Sequence, residues 1–369
     1  MKRLLTNLLV TGGAGFIGAN FIHYIFNKTD FSGRIINLDA LTYAGNLESL
    51  KDIDSKFGVK ALGKDKARYI FEHADITDKE TVNRIFKEYS IDTVVHFAAE
   101  SHVDRSILGP EAFVKTNVMG TFNLLEAAHN FWKTQDGTMR TDVLFHHIST
   151  DEVYGSLGET GYFEETTPYD PRSPYSASKA SSDHLVSAYS HTFGLPTTLS
   201  NCSNNYGPFQ FPEKLIPLMI MNMVDGKELP VYGDGKNIRD WLFVEDHNSA
   251  VWTIMNKGKS GEKYNIGGEN EWQNIKLLEK LIDIVAEETG KDAAKIKETI
   301  KWVKDRPGHD RRYAINCNKL KTELGWKQSH TFEEGLRATV KWYLSNTEWT
   351  AHVRSGEYAN WIKNNYGNR

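Results

Sequence analysis

Cysteine is scarce in this sequence. Cys202 and Cys317 are the only two cysteines among 369 residues, and neither has a C-x-x-C partner. The chain therefore offers no disulfide framework, and one stray disulfide is the less favoured alternative to two free thiols. This usage indicates a reducing compartment, so we expect a cytoplasmic protein.

Long apolar runs and a surplus of basic charge are also missing. No run of about 18 apolar residues occurs, which argues against a membrane-spanning helix. The 44 basic and 48 acidic residues give a net charge of −4, which argues against an extended nucleic-acid surface. The short apolar run near the start is broken by Thr6 and Asn7 and leads into a glycine turn, so we interpret it as a first strand.

The first half of the chain alternates short β-type runs with amphipathic helical stretches. This alternation predicts an α/β fold: a Rossmann-like, doubly wound parallel sheet covered by helices on both faces. The predicted strands are 5–11, 34–39, 68–74, 93–97, 143–149 and 197–202, and the predicted helices are 16–27, 78–89, 111–131 and 175–193.

The pattern changes near residue 204. We expect a dinucleotide-binding domain over 1–203, a smaller mixed α/β substrate lobe over 204–345, some segments crossing between them, and a packed tail over 346–369. Residues 52–66 look like a surface excursion. The second half has predicted strands at 229–232, 241–244, 263–266 and 300–303, and predicted helices at 213–225, 246–256, 274–289 and 331–345.

A glycine-rich turn follows the first predicted strand and opens a helix. Its spacing is G-x-x-G-x-x-G, which permits a tight turn and close backbone approach to a pyrophosphate. Asp39 ends the second strand, where a carboxylate accepts ribose hydroxyls and repels a 2′-phosphate, so NAD is favoured over NADP. The residues assigned to this dinucleotide site are Gly12, Gly15, Phe16, Ile17, Gly18, Asp39, Asp75, Ile76, Ala98 and Ala99.

A Tyr-x-x-x-Lys pair indicates hydride transfer at a carbinol carbon. Tyr175 and Lys179 project from one helix face, where the ammonium is expected to lower the phenol pKa and to hold a nicotinamide ribose. Thr150, at the end of a strand, is placed to orient a substrate hydroxyl. The adjacent Asp151 and Glu152 exceed what simple oxidation needs, and they indicate proton abstraction with loss of a leaving group.

These motifs resemble the extended short-chain dehydrogenase/reductases, and among them the nucleotide-sugar 4,6-dehydratases. The likeness spans roughly residues 4–345, and its most specific parts are the Asp-Glu after Thr150 and the Arg-Pro-Gly-His-Asp-Arg-Arg run. The segments that carry it are 12–18, 39–46, 98–106, 150–155, 175–179, 203–208, 239–247 and 305–313.

The resemblance implies an NAD-dependent hydro-lyase that acts on dTDP-glucose. Tyr175 would take the C4 hydroxyl proton, Glu152 the C5 proton, and Asp151 would protonate the departing C6 hydroxyl. NAD would be recycled, and the 4-keto-6-deoxy sugar would feed rhamnose or another deoxysugar. The likeness also implies a homodimer through a four-helix bundle built from 111–131 and 175–193.

The resemblance further implies two sets of ligand contacts. On the cofactor side it adds Thr42, Glu100, Thr116, Tyr175, Lys179 and Asn205. On the substrate side it gives Ser101, Thr150, Asn204, Lys214, Leu215, Pro230, Tyr232, Arg239, Asn274, Arg306 and His309.

Several alternatives stay open at the level of sequence. The substrate could carry uridine or guanosine instead of thymidine, or the enzyme could be a 4-epimerase, although an epimerase needs no carboxyl pair. A regulatory relative that only senses NAD is the non-enzyme alternative. No metal site is expected, because His102, His146 and His147 have no ligand spacing around them.

Overall fold

The computed structural model describes residue 3 and residues 5–305 and 310–355. The strands are β1 Asn7–Thr11, β2 Arg34–Asp39, β3 Tyr69–His73, β4 Thr93–His96, β5 Leu144–Thr150, β6 Thr197–Cys202, β7 Asn204–Tyr206, β8 Leu229–Tyr232, β9 Ile238–Phe243, β10 Lys263–Ile266, β11 Glu271–Gln273 and β12 Ile300–Val303. The helices are α1 Phe16–Lys28, α2 Lys51–Phe57, α3 Val59–Leu62, α4 Lys79–Glu88, α5 Val103–Leu108, α6 Pro110–Phe113, α7 Thr121–Trp132, α8 Pro174–Phe193, α9 Leu215–Asp225, α10 Val244–Lys257, α11 Asn274–Thr289, α12 Ala293–Lys297, α13 Asn318–Leu324, α14 Phe332–Ser345 and α15 Thr347–Arg354.

A seven-stranded parallel sheet runs through the first part of the chain, in the order β10-β6-β5-β4-β1-β2-β3. The predicted Rossmann-like sheet is thereby confirmed. Strand order reverses at β1, because β2 and β3 lie on one side of it and β4, β5 and β6 on the other. Ligands of open α/β sheets bind outside the carboxyl ends of the strands at such a reversal.

Both faces of the sheet are covered by apolar helix surfaces. On one face α1 packs against α10, where Phe21, Ile22 and Ile25 join the buried core. On the other face α4 packs against α7 around fully buried Trp132, whose indole N–H donates to the Ile91 carbonyl at 2.7 Å. Burial on both faces explains why β1, β2 and β4 carry apolar residues at neighbouring positions instead of alternating ones.

The second half forms a smaller layer beside the carboxyl ends of the strands. It contains a three-stranded sheet, β11-β9-β7, and a two-stranded sheet, β12-β8, packed with α9, α11 and α14. However, β10 pairs with β6 in the large sheet, so one strand from beyond residue 204 belongs to the first architecture. The division at 203 and 204 stays a prediction.

Two predicted segments differ in detail from the structure. The helix expected over 111–131 consists of α6, a π-helical stretch Val114–Gly120, and α7. Within that stretch the Asn117 amide bonds both backbone groups of Glu100, at 2.8 and 2.9 Å, which ties the widened turn to the end of β4. The excursion at 52–66 contains two short helices, α2 and α3, and Ile53 of α2 is fully buried.

Among the described helices, none combines the length and the apolar character that a bilayer crossing requires. The strands that the sequence did not predict, β7 and β11, have three residues each. Three residues are too few to show the period-two alternation by which strands are recognised.

The described part of the C-terminal tail packs on the body. Trp349 of α15 is 8% exposed, and its indole N–H donates to the Ser49 hydroxyl at 3.0 Å. Its ring also meets Phe209 and Trp342 edge-on. The remaining aromatic residues of the tail, Tyr358, Trp361 and Tyr366, lie outside the described residues.

We predict that Trp349→Ala lowers the free energy of unfolding by about 3–5 kcal/mol, because it leaves a cavity where α15 meets the body. Urea denaturation measures the change. Trp302→Ala is the matched control, since Trp302 is 55% exposed and should cost less than about 1 kcal/mol. Equal losses in the two variants would contradict the packing role of Trp349.

Candidate active site

The glycine turn between β1 and α1 depends on close backbone contacts. Gly12 has a φ of +70°, and a Cβ there would lie 2.7 Å from the Ala98 backbone. A Cβ on Gly18 would lie 2.3 Å from the Gly12 carbonyl oxygen. Because neither position accepts a side chain, the start of α1 is held tightly against the ends of β1 and β4.

Asp39 braces this turn from the end of β2. Its carboxylate accepts the Ala14 N–H at 2.9 Å and the Leu41 N–H at 2.8 Å. Burial raises the pKa of Asp39, and these two backbone bonds oppose the rise. Each carboxylate oxygen keeps a second lone pair for a ligand hydroxyl, so the bracing and the predicted ribose contact are compatible.

One cavity of about 330 Å³ runs along the carboxyl ends of the central strands. It joins the two sites that the sequence predicted separately, since the glycine turn and the Tyr-x-x-x-Lys pair both line it. The predicted residues that line it are Gly12, Gly15, Phe16, Ile17, Gly18, Asp39, Thr42, Asp75, Ile76, Ala98, Ala99, Glu100, Ser101, Thr116, Thr150, Asp151, Glu152, Tyr175, Lys179, Asn204, Asn205 and Lys214.

Helix α8 delivers the Tyr-x-x-x-Lys pair to this cavity. The helix begins sharply, with Pro174 in its first turn and Ser173 and Ser176 forming a reciprocal capping box. Tyr175 and Lys179 are 9% and 4% exposed. The pair is therefore held in a largely dry position with one edge open to the cavity.

The pKa of Tyr175 differs from the sequence-based expectation. Burial raises the phenol pKa well above its ordinary value, the charge of Glu152 adds to the rise, and a hydrogen bond with Thr150 opposes it. The prediction that Lys179 lowers the pKa of Tyr175 is therefore wrong when only the groups of the protein itself are considered. The Lys179 amine donates to the Ile148 carbonyl at 2.8 Å, and burial lowers its own pKa to about 8.

The two adjacent carboxyl groups occupy different environments. Asp151 is 2% exposed, while Glu152 is half-buried. Burial raises the pKa of Asp151 well above its ordinary value, with further repulsion from Glu152 and Asp240 and an opposing effect of Arg239. The surroundings of Asp151 therefore favour its protonated form, and the neighbouring carboxyl group is more accessible.

The Asp151 side chain is aimed at the cavity. Its Oδ1 accepts the Thr150 hydroxyl at 3.4 Å, whereas its Oδ2 is buried without a hydrogen bond to any described residue. Within the same described set, the Oδ1 atoms of Asn204 and Asn274 are also buried and unbonded. Buried polar atoms of this kind are normally satisfied, so the unbonded atoms of Asp151 and Asn204, which both line the cavity, fit a polar ligand.

The structure describes most, but not all, of the residues that the resemblance gives for the substrate side. Arg239 of β9 donates to the Asp310 carbonyl at 2.9 Å and lies 4.3 Å from the centre of the Tyr313 ring. Its charge reaches Asp151 from the second sheet. Leu215, Pro230, Tyr232, Arg239 and Asn274 are not among the described residues that line the main cavity, and Arg306 and His309 lie outside the described residues.

Comparison with known proteins agrees with this geometry. A family model described as GDP-mannose 4,6 dehydratase matches residues 9–339. The dTDP-glucose 4,6-dehydratase 1 of Escherichia coli strain K12 is 54% identical over 371 positions, which cover 98% of this chain and 99% of that protein.

Two solved structures of dTDP-glucose 4,6-dehydratases are also similar to this chain. A Bacillus anthracis dTDP-glucose 4,6-dehydratase in complex with NAD is 46% identical, with a TM-score of 0.81, and the match covers 94% of this chain and 99% of that one. A Streptomyces venezuelae dTDP-glucose 4,6-dehydratase with NAD and a second ligand bound is 41% identical, with a TM-score of 0.82 and coverage of 93% and 98%.

The chain belongs to the dTDP-glucose 4,6-dehydratase family.

Some residues of the family site were missed by the sequence reasoning. They line the main cavity, and none of them was singled out as a site residue from the sequence: Tyr43, Cys202, Ser203, Gln210, Phe211 and Glu213. The 39–46 motif contains Tyr43, whose hydroxyl donates to Glu213 at 3.1 Å. That motif was the available signal for Tyr43, whereas Glu213 depends on a contact across 170 residues.

The three histidines that were weighed as metal ligands contact other groups of the protein. His146 bonds the Thr198 hydroxyl at 2.8 Å, and His147 lies 3.3 Å from the Asp183 carboxylate. His102 caps α5 by accepting the Arg105 N–H. In residues 5–305 and 310–355, side chains of the metal-ligating types do not form a group of three or more.

We predict that Asp151→Asn raises the free energy of unfolding near neutral pH. The folded-state pKa is raised, so ionisation stabilises only the unfolded chain once the pH exceeds about 4. The loss of folding stability caused by Asp151 is thus absent at pH 3, and it grows as the pH rises toward the folded-state pKa. Denaturation at pH 3 and pH 8 should show a gain on the order of 1 kcal/mol at the higher pH only.

Asp30→Asn is the control for this measurement, because Asp30 is exposed. It should leave unfolding nearly unchanged at both pH values. A gain for Asp151→Asn that does not depend on pH would show that the buried carboxyl group is not its source.

Proposed function

We propose that the protein converts dTDP-glucose to dTDP-4-keto-6-deoxyglucose and water, with NAD as a recycled cofactor. The observation that carries the proposal is the carboxyl pair. Asp151, a buried acid, and Glu152, a more exposed carboxyl group, share one cavity with Tyr175 and the glycine turn. The names of the relatives point to the same reaction.

The cavity fits NAD. The glycine turn leaves room where side chains would clash, Asp39 offers free lone pairs at the end of β2, and buried Asn205 Oδ1 has no hydrogen bond to a described residue. We propose that Gly12, Asp39, Asp75 and Lys179 hold the cofactor. Bound there, NAD would supply a hydride acceptor for C4 of the sugar and a hydride donor for C6.

Three side chains then move protons to and from the sugar. Tyr175 acts as the phenolate, a form that its hydrogen bond with Thr150 favours, and takes the proton of the C4 hydroxyl. The C4 ketone acidifies C5, where Glu152 removes the proton. Asp151 protonates the C6 hydroxyl, which leaves as water, and Glu152 later returns a proton to C5. The geometry supports this division because burial favours the protonated form of Asp151, whereas Glu152 is more accessible.

This scheme leaves a proton to be redistributed. After one turnover Tyr175 has gained a proton and Asp151 has lost one, while Glu152 is unchanged. The Thr150 hydroxyl bonds both Tyr175 and Asp151, so it offers a path by which the surplus proton returns to the acid. No net proton is released, as the overall loss of water requires.

A nucleotide-sugar 4-epimerase is the enzyme rival, and it uses Tyr, Thr and Lys without an acid–base pair. Neither it nor a purely NAD-sensing relative gives a task to Asp151 beside Glu152. We also propose that the nucleotide is thymidine and that the product enters deoxysugar synthesis, with rhamnose as one outcome.

We further propose a cytoplasmic homodimer. Leu125 and Ala128 of α7 are buried within the chain, so a partner would meet the exposed apolar side chains beside them. These include Leu108, which is 76% exposed, Val114, which is 54% exposed, and Met119, which is 48% exposed. Light scattering reports the mass in solution, and a monomer would contradict the dimer.

We predict that dTDP-glucose deuterated at C4 yields a 4-keto product carrying the label at C6, without net accumulation of reduced cofactor. Mass spectrometry locates the label, and absorbance follows the cofactor. Label loss to solvent, or an inverted C4 with an intact C6 hydroxyl, would contradict the proposed reaction.

The same substrate separates the roles of the two carboxyl groups. Asp151→Asn and Glu152→Gln should each slow elimination by about a hundredfold or more, the usual scale for removing an acid or base. Oxidation at C4 in a single turnover should change much less. If that oxidation fell as far as elimination, the assigned roles would be wrong.

A further inference from the structure

A buried carboxyl group lies behind the catalytic lysine and has no task in the proposed mechanism. Asp183 follows Tyr175 and Lys179 at four-residue intervals on α8, so the three side chains share one helix face. Asp183 is 2% exposed. A carboxyl group is rarely buried so completely unless it is paired or hydrogen-bonded.

Asp183 is held by groups from three other elements. Its Oδ2 accepts the Ser149 hydroxyl at 2.7 Å, the Tyr169 hydroxyl at 2.9 Å and the Asn201 amide at 3.3 Å. These bonds stabilise the ionised form, against the burial that raises the pKa of Asp183. The protein thus provides specific bonds to a charge at this position.

The imidazole of His147 lies between this carboxylate and the lysine. Its Nε2 lies 3.3 Å from Asp183 Oδ1 and 3.4 Å from the Lys179 Nζ. Burial lowers the pKa of His147 well below its ordinary value, so the imidazole is neutral and contributes no charge. The Ile148 carbonyl beside Lys179 carries only a partial negative charge. Following these contacts from Lys179, the first full negative charge is therefore that of Asp183.

We infer that Asp183 is a positioning residue for Lys179: its carboxylate, which is held by Ser149, Tyr169 and Asn201, acts on the lysine through space across His147. The negative charge keeps the lysine amine protonated and fixed beside Ile148. Attraction between opposite charges is strong in a buried site, where water does not screen it. Burial alone would favour the neutral amine, which could no longer serve as a cation beside Tyr175.

Other titratable groups face this pair from the surrounding elements. Lys179 meets His147 on β5, Cys202 on β6 and His96 on β4. Asp183 meets Tyr169, Tyr154 and Lys263, the last of which lies 4.6 Å from the centre of the Tyr169 ring. Among these, Asp183 is the carboxylate that supports the charge of Lys179.

The test measures the protonation of Lys179 directly. Trace labelling with acetic anhydride across a pH series, read by peptide mass spectrometry, gives the pH midpoint of this one amine in the folded protein without added ligand. Asp183→Asn should lower the midpoint by about one pH unit or more, because an opposite charge is removed. Asp183→Glu keeps the charge and should restore most of the shift.

The matched control is Asp92→Asn. Asp92 is also a buried carboxyl group, 4% exposed, but it precedes β4 at the opposite end of the sheet and accepts the Asn7 N–H at 2.8 Å. This variant should lose stability and leave the Lys179 midpoint unchanged. Should Asp183→Asn fail to fold, His147→Phe removes the polar ring between the two groups and should move the midpoint in the same direction.

A kinetic consequence rests on the proposed function. At pH 8, a fall of one unit in the midpoint cuts the protonated fraction of Lys179 about fivefold, and oxidation at C4 should slow to match. The labelling midpoint could shift in a protein that fails to act on dTDP-glucose. That result would support the role of Asp183 and contradict the proposed function.

The inference is overturned if Asp183→Asn lowers thermal stability and leaves the labelling midpoint where it is in the wild type. It is equally overturned if Asp92→Asn shifts the midpoint as much as Asp183→Asn does. Either result would assign Asp183 to the fold alone.

Discussion

The site depends on the packing of α8 across the carboxyl ends of β5 and β6. That contact places Tyr175 beside Thr150 and lets Lys179 donate to the Ile148 carbonyl at 2.8 Å. It also buries Asp183 against Ser149 and Asn201. A parallel sheet brings the carboxyl ends of all its strands to one edge. The side chains that α8 presents there therefore face the glycine turn that follows β1.

Burial then sets the chemistry along that edge. Asp151 and Glu152 are neighbours in sequence, yet only Asp151 is almost fully enclosed, and its pKa rises for that reason. Enclosure costs folding free energy at neutral pH, which the protein tolerates where the chemistry needs an acid. Lys179 is the opposite case, since burial lowers its pKa to about 8 and a nearby carboxylate opposes the change.

Much of the architecture could be predicted from the sequence. The bounds of β2, β6, β8, β10, β12 and α11 match the predicted ranges, because these elements are apolar or amphipathic runs bounded by turns. The three-residue strands β7 and β11 could not be found this way. Nor could the pairing of β10 with β6, which joins residues more than 60 positions apart.

The sequence by itself determined which side chains to propose for the chemistry: the glycine turn, the Thr-Asp-Glu run and the Tyr-x-x-x-Lys pair are local patterns whose spacing has a physical meaning. Only the tertiary structure decided their protonation, because burial and charge depend on neighbours that are distant in sequence. It showed that Tyr175 has a raised pKa and that Asp151 is the buried member of its pair. It also placed Asp183 behind Lys179, which no spacing rule had marked as functional.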